Sequence, residues 1–279
     1  MPFQQSIQRA IKSGNWMVRV DNEGVSTTSE AKGFCWAPVG EWTQAPDWDP
    51  RALCGGGLHG QGRLGSGYWS LPSTRVVFCE TTDQVIIDGT KVKCEYARIL
   101  LVNDLSSARG MCFEGSLDLQ RCEGLTKLPE GMSVGGPLYL NDCRNLVEIP
   151  EGLSTEQGLF LNNCTSLTKL PEKLSISKGA LRLSGCTSLT TMPEALSVAG
   201  NCYLTNCTAL QRLPEGMSCG SFLGLNGCIG LTELPRGLLV NGNLYLQGCT
   251  GLSTLPEDLA VKGHIYTDGS PCLNLSEDG

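Results

Sequence analysis

The sequence has few of the residues that most often carry chemistry. It contains two histidines among 279 residues, and charged residues make up only 18% of the chain. No two cysteines have the C-x-x-C spacing and no histidine lies at ligand spacing, which argues against a zinc site. No catalytic constellation stands out either. We therefore expect a non-enzymatic protein with no cofactor and no bound metal.

The sequence also lacks a long apolar run. None approaches the roughly 18 residues that a membrane-spanning helix needs. The segment Met1–Ser6 does not have the basic and then apolar order of a secretory signal. We therefore expect a soluble chain made in the cytosol, with no signal peptide and no membrane partner.

Charge and tryptophan divide the chain into two parts. Residues 1–110 hold 11 Lys/Arg and 11 Asp/Glu, whereas residues 111–279 hold 10 and 17, so the net charge of −7 belongs to the second part. All five tryptophans lie in the first part. An acidic second part argues against a nucleic-acid partner, whose phosphates need Lys and Arg. The division predicts an N-terminal domain over 1–112 and a second domain over 113–279.

The second part is built from a repeat of about 21 residues that is marked by cysteine. We call these seven residues the cysteine ladder: Cys122, Cys143, Cys164, Cys186, Cys207, Cys228 and Cys249. Leucine follows each of them after three residues and proline after seven. Leucine also stands five and three residues before each one, except where Cys202 replaces it. Seven matched copies indicate stacked units that share one core.

The spacing of the leucines predicts the local structure of one repeat. Leu-x-Leu has period 2, so both side chains point to the same face of a short strand. Proline then ends the regular hydrogen bonding. A second apolar pair, such as Leu174 and Ile176, precedes a glycine-rich return. The short period leaves little room for helices, so we expect short strands or extended turns on the second side.

The pattern Leu-x-Leu-x-x-Cys-x-x-Leu-x-x-Leu-Pro resembles the leucine-rich repeat, in a short form with cysteine where asparagine is commoner. It covers residues 115–270 approximately. The resemblance implies a parallel β-strand solenoid of seven repeats with a C-terminal cap and one strand per repeat on its concave face. It also implies a scaffold that binds other proteins.

Residues between the inward leucines are expected to face solvent. One set lies four residues before each ladder cysteine, with an eighth member in an incomplete last repeat, and we call it the aromatic row: Asp118, Tyr139, Phe160, Arg182, Tyr203, Gly224, Tyr245 and Tyr266. Five of these eight are aromatic in a chain that is 6% aromatic. A second set, two residues before each cysteine, is polar throughout and is called here the amide row: Gln120, Asn141, Asn162, Ser184, Thr205, Asn226 and Gln247.

Two interpretations of these rows stay open. Aromatic side chains favour strands, and amides hydrogen-bond along a stack, without any ligand. Alternatively, an aromatic row beside a polar row has the composition of a protein-binding surface. On the second interpretation the binding residues are those of the row that are aromatic or basic: Tyr139, Phe160, Arg182, Tyr203, Tyr245 and Tyr266.

Glutamate recurs directly after the proline of most repeats and is expected to form a solvated acidic edge. Its members are Glu130, Glu151, Glu172, Glu194, Glu215 and Glu257.

Cysteine is abundant, with 15 in all. The ladder, Cys202 and Cys219 are expected to be buried and unpaired, because they take the places of small core side chains. Six others have no such explanation and are disulfide candidates within or between chains, above all at the exposed C-terminal end: Cys35, Cys54, Cys79, Cys94, Cys112 and Cys272.

The N-terminal domain is expected to be mostly β with one short helix. The segment 4–13 predicts an amphipathic helix, and residues 17–20, 75–78, 84–87 and 97–102 predict strands. The glycine cluster at 54–62 lacks the Lys-Ser/Thr of a phosphate-binding loop, so a turn is the better interpretation. That segment resembles a Gly-Leu-His segment in uncharacterised phage and bacterial proteins.

Two functions remain as hypotheses. The first is a structural interaction protein whose partners are capsid or other assembly subunits, to which intermolecular disulfides could link it. Such a protein would decorate or link a phage virion and lie on the virion surface. If it is not encoded by a phage, we expect it in the cytoplasm. The second is an effector with a targeting solenoid. His59, Tyr68 and Glu80 stand in the order found in diphtheria-toxin-like ADP-ribosyltransferases, and this resemblance implies NAD binding by the first two and catalysis by the glutamate.

Overall fold

A computed structural model describes residues 2–21, 36–45, 58–63, 75–87, 91–194 and 196–271. By their internal contacts these fall into two units, Met1–Tyr139 and Leu140–Gly279.

The first unit begins with one helix and a seven-stranded sheet. The helix is α1 (Pro2–Ser13), and the strands are β1 (Trp16–Asp21), β2 (Trp42–Gln44), β3 (Leu58–Gln61), β4 (Arg75–Thr81), β5 (Gln84–Ile87), β6 (Lys91–Cys94) and β7 (Tyr96–Val102). The strand order is β2-β7-β4-β1-β3-β6-β5, and the pairs described are antiparallel. The helix and the four strands expected from the sequence are all present.

One expectation about this unit was wrong. The segment 54–62 was interpreted as a turn, but Leu58–Gln61 forms strand β3, which pairs with β6 on one side and β1 on the other. Pairing on both sides supplies the hydrogen bonds that the local sequence does not predict. Residues 54–57 lie outside the described part of the chain.

Trp16 forms the centre of the hydrophobic packing beneath this sheet. Its ring lies 6.1 Å from that of Phe78 and 5.1 Å from that of Phe113, centroid to centroid. Ile7 and Ala10 of α1 are also buried. The apolar side of the helix therefore covers one side of the sheet, as the spacing of its apolar residues predicts.

The antiparallel sheet is followed by a parallel β-solenoid of about seven turns. Each turn contributes two short strands. One set carries the Leu-x-Leu motif, and we call its outer side the strand face: β9 (Leu117–Asp118), β11 (Leu138–Tyr139), β13 (Gly158–Phe160), β15 (Ala180–Arg182), β17 (Cys202–Tyr203), β19 (Leu223–Gly224), β21 (Leu244–Tyr245) and β23 (Ile265–Tyr266).

In the other set every strand after the first follows the proline of a turn, and the set confirms the expectation of short strands on the second side. Its members are β8 (Cys112–Phe113), β10 (Ser133–Val134), β12 (Ser154–Thr155), β14 (Ser175–Ile176), β16 (Ser197–Val198), β18 (Ser218–Cys219), β20 (Leu239–Val240) and β22 (Ala260–Val261).

In the second unit equivalent residues pair from turn to turn in both sets, although β12 and β14 belong to different sheets. In the second unit Leu181 pairs with Cys202 and Leu223 with Leu244, so equivalent repeat positions lie side by side. The inward leucines of each turn are buried, Leu183 and Leu204 among them. Because one turn covers the apolar face of the next, the solenoid has a continuous core that a single repeat could not form.

Left-handed backbone recurs in every turn at the residue before the ladder cysteine. Asn163 and Asn206 have φ of 61° and 59°, and Gly185 and Gly227 have φ of 78° and 70°. Asparagine and glycine adopt this conformation at the lowest cost. The tight turn into each cysteine therefore explains why these residue types recur there.

Candidate functional site

The ladder cysteines are core residues, as expected, and five of the seven also have a hydrogen-bonding role that packing alone does not predict. From Cys164 to Cys249 every ladder thiol donates to the main-chain carbonyl of the leucine three residues before the preceding ladder cysteine, with Sγ to O distances of 3.0–3.1 Å. Ser270 stands at the ladder position of the last turn, and its hydroxyl donates to Leu246 in the same way. The position therefore requires a small side chain with a donor.

These thiols are shielded from ionisation. Burial raises the pKa of Cys207 to about 12, and the nearby Cys186 thiol adds to the effect. Burial also raises the pKa of Cys164, Cys186 and Cys228. A neutral, buried thiol is a poor nucleophile and a poor metal ligand. The ladder is therefore part of the core and takes no part in a reactive site.

The disulfide candidates receive no support from the structure. No disulfide forms among the cysteines of the described segments. Cys79 and Cys94 are buried in the first sheet, where a bond to another chain cannot reach them, and only Cys112 is exposed. Cys35, Cys54 and Cys272 lie outside the described residues.

The strand face carries the aromatic row in the orientation that the sequence predicts. Tyr139, Phe160, Arg182, Tyr203 and Tyr245 are half-buried, and Tyr266 is exposed. The leucines on either side of Tyr139, Phe160, Arg182 and Tyr245 are buried. Cys202 and Leu204, on either side of Tyr203, are buried as well, whereas Ile265 beside Tyr266 is exposed. The row therefore lies on the outside of the strands.

Two members of the row depart from this pattern. Asp118 is only 3% exposed, and its carboxylate accepts hydrogen bonds from the main-chain and side-chain nitrogens of Gln120. Burial raises its pKa in spite of these bonds. Gly224 has no side chain and is buried. The row is thus interrupted at Gly224 by its own sequence.

Phe222 fills this interruption, and the sequence analysis missed it. It stands two residues before Gly224, on the same side of the strand, because side chains alternate with period 2. Its ring centroid lies 4.8 Å from that of Tyr203 and 5.7 Å from that of Tyr245, with interplanar angles of 85° and 80°. The glycine in an otherwise large-residue row, with an aromatic residue two positions away, was the available signal.

In the second unit the row becomes a continuous chain of ring contacts. The guanidinium of Arg182 lies over the rings of Phe160 and Tyr203, 5.5 and 4.6 Å from their centroids. At the other end Tyr245 and Tyr266 stack with 4.8 Å between centroids and only 8° between planes. We call this set the aromatic stack: Phe160, Arg182, Tyr203, Phe222, Tyr245 and Tyr266.

The amide row runs beside the stack and links successive turns. The side-chain oxygen of Asn141 accepts from the main-chain N–H of Asn162 at 3.0 Å, and that of Asn162 accepts from Ser184 at 3.1 Å. Further along, the side-chain oxygens of Asn226 and Gln247 are buried without a hydrogen-bond partner. The row is therefore structural in its first turns and has unused acceptors in its later ones.

The acidic edge belongs to a different part of each turn from the strand face. All six of its glutamates are exposed, as expected. Four glutamates and Arg212 surround an open groove of about 590 Å³. Their oxygens are not gathered on a common point, because successive members belong to successive turns. Within the described segments no group of His, Cys, Asp and Glu is placed to hold a metal ion.

Of the three transferase candidates, the structure describes the side chain of Glu80 alone. Glu80 is 7% exposed, and both of its oxygens are bound: Arg9 holds one at 2.7 Å and Arg98 holds the other. Burial alone would raise the pKa of Glu80, but the hydrogen bonds and charges of Arg98 and Arg9 outweigh it and lower the pKa. His59 lies on β3 and its side chain is not described; Tyr68 is outside the described residues.

Comparisons with known proteins add no relative. No protein-family model, no curated protein and no solved structure matches the chain. In the part of the chain that the structure describes, no helix has the length and apolarity needed to cross a bilayer.

Proposed function

We propose that this protein is a non-enzymatic interaction protein of the leucine-rich-repeat type that binds another protein through its strand face. The observation that carries the proposal is the aromatic stack. Core packing does not require it, because the inward leucines are already buried on the other side of each strand. Aromatic residues and arginine are also the types enriched at the centres of protein interfaces.

The stack is suited to binding because its side chains are already held in place. Each ring or guanidinium contacts the next, so little side-chain freedom is left to lose when a partner arrives. Pre-ordered aromatic side chains with polar neighbours provide both contact area and hydrogen bonds. These are features of a recognition surface.

We further propose that the partner is a subunit of a larger assembly, and that this assembly is a phage capsid. The repeat scaffold, the acidic solvated edge and the resemblance of the Gly-Leu-His segment to phage proteins support this. The second hypothesis, an ADP-ribosyltransferase, has no specific observation in its favour, because Glu80 is fully engaged by two arginines.

The test is co-purification of the full chain with associated proteins from its native source. We compare the wild type, the double variant Tyr203→Ala with Tyr245→Ala, and the control Ile229→Ala. Ile229 is a 52% exposed hydrophobic residue outside the stack. We expect the same associated protein with the wild type and the control, and loss with the double variant. Equal recovery with all three would contradict the proposal, and recovery within purified virions would establish the assembly.

A further inference from the structure

Arg182 is the one cation of the aromatic stack, and its surroundings limit what it can bind. Its guanidinium carbon lies 5.5 and 4.6 Å from the ring centroids of Phe160 and Tyr203. Its Nε is buried and has no hydrogen-bond partner. Among the described residues Arg182 has no ion pair, unlike Arg98, which binds Glu80. The part left for a partner is the terminal edge of the guanidinium with its N–H donors.

The rings around Arg182 favour a negative group at the same place. An aromatic ring has negative faces and a positive edge. Tyr203 lies beneath the guanidinium, and Tyr245 and Tyr266 stack on each other, so ring faces are used within the stack. Phe222 meets Tyr203 and Tyr245 edge to face, and the hydroxyl of Tyr245 accepts a hydrogen bond from Asn243, so these groups are engaged as well. The fork of the Arg182 guanidinium remains to meet a partner.

The distribution of charge on the solenoid points the same way. The acidic edge carries glutamates on another part of the turns, whereas the strand-face segments 180–184 and 201–205 contain Arg182 and no acidic residue. A cation without an ion pair, within an ordered aromatic surface, is complementary to a carboxylate.

We infer that the strand face binds an acidic protein segment, with one Asp or Glu side chain of the partner held bidentately by the guanidinium of Arg182. This inference rests on the proposed function. A protein carboxylate is favoured over a nucleic-acid phosphate backbone, because the second unit is acidic and a row of phosphates requires several aligned cations. Planar, bidentate recognition of a carboxylate is the use for which arginine is better suited than lysine.

The test begins with selection of random linear peptides on the immobilised full chain. The consensus peptide and its Glu→Gln (or Asp→Asn) counterpart are then titrated against wild type, Arg182→Gln and Arg182→Lys. Arg212→Gln is the matched control, since Arg212 lies in the groove at the acidic edge. Thermal unfolding of each variant shows that it is folded.

We expect selected peptides with a fixed acidic position. Arg182→Gln should weaken binding of the acidic peptide by about 10- to 100-fold and leave the neutral peptide nearly unchanged. Arg182→Lys should recover only part of the loss because it lacks the fork. The control should bind as the wild type does.

Three results would overturn the inference. If the selected peptides require Tyr203 and Tyr245 but show no coupling between Arg182 and a carboxylate, the inference fails while the proposed function stands. If peptides bind independently of Tyr203 and Tyr245, or none is selected, both fail. If a fluorescent single-stranded oligonucleotide binds with dependence on Arg182 and no peptide does, the partner class is wrong.

Discussion

The thiol of Cys207 donates a hydrogen bond to the main-chain carbonyl of Leu183, with 3.1 Å between Sγ and O. The two residues belong to successive turns, so the bond ties one turn to the next at the buried side of the chain. The same relationship recurs along the second unit, and Ser270 reproduces it with a hydroxyl.

Replacing this donor should show what the ladder contributes. We expect Cys207→Ala to lower the free energy of unfolding by about 1–3 kcal/mol, because the buried carbonyl of Leu183 loses its partner and a small cavity forms. Cys207→Ser should lose clearly less, since the hydroxyl can donate to the same oxygen. Urea unfolding of the three proteins measures this. Equal losses would mean that packing alone explains the ladder.

The buried thiols should make the folded protein less stable at alkaline pH. An unfolded thiol titrates near 8.5, whereas burial raises the pKa of Cys207 to about 12. Above about pH 8.5 the unfolded chain therefore loses protons that the folded chain keeps. Each such thiol should lower stability by about 1.4 kcal/mol per pH unit until the folded pKa is reached. Between pH 9 and 11 the free energy of unfolding should fall less steeply in Cys207→Ser than in the wild type, by about 1.4 kcal/mol per pH unit.

Site-resolved labelling tests the accessibility of the cysteines. Of those described, Cys112 is exposed and the ladder is buried. A thiol reagent at neutral pH should modify Cys112 rapidly and leave Cys164 and Cys207 unmodified until the protein unfolds. Mass spectrometry of digested samples assigns the labels, and Cys112→Ser serves as control. Rapid labelling of Cys164 in the folded protein would contradict the buried ladder.

Substitution by alanine should destabilise the protein at one glycine of the solenoid and be tolerated at another. A Cβ on Gly220 would lie 1.9 Å from the carbonyl oxygen of Ala199, whereas on Gly224 its nearest neighbour is Thr205 Oγ1 at 3.7 Å. Gly220→Ala should therefore destabilise the fold by several kcal/mol, because main chain must move, and Gly224→Ala should fold as the wild type does. Thermal unfolding distinguishes them; similar melting temperatures would show that adjacent turns are less tightly packed here.

We expect the ion pairs of Glu80 with Arg9 and Arg98 to stabilise the fold. Arg98→Gln should cost about 1–3 kcal/mol, since Arg98 is mostly buried, and Arg9→Gln less than about 1 kcal/mol because Arg9 is exposed. The pKa of Glu80 is lowered in the folded state, so its stabilisation is present above the unfolded pKa and is lost as pH falls through the folded one. Glu80→Gln should flatten this acid dependence. Labelled NAD incorporation that wild type shows and Glu80→Gln lacks would instead favour the transferase.

Much of the solenoid could be predicted from the local sequence, because the alternation of side chains shows which side of each strand is buried. Leu181 and Leu183 alternate with Arg182, so the buried and outer sides follow from period 2. The first unit was less predictable. Strand β3 contains His59 and Gly60 and has no apolar alternation, so its strand structure depends on pairing with β1 and β6.

The sequence by itself determined the repeat length, the inward leucines, the buried cysteine ladder and the outer position of the aromatic row. These are properties of spacing, and spacing is fixed along the chain. Only the tertiary structure decided that Phe222 fills the place left open by Gly224, that the Arg182 guanidinium lies against two rings, and that each ladder thiol from Cys164 onward donates to the preceding turn. Each of these contacts joins residues of different turns or depends on a chosen rotamer. Stacking in register brings such residues together, and the one-dimensional pattern does not specify their orientation.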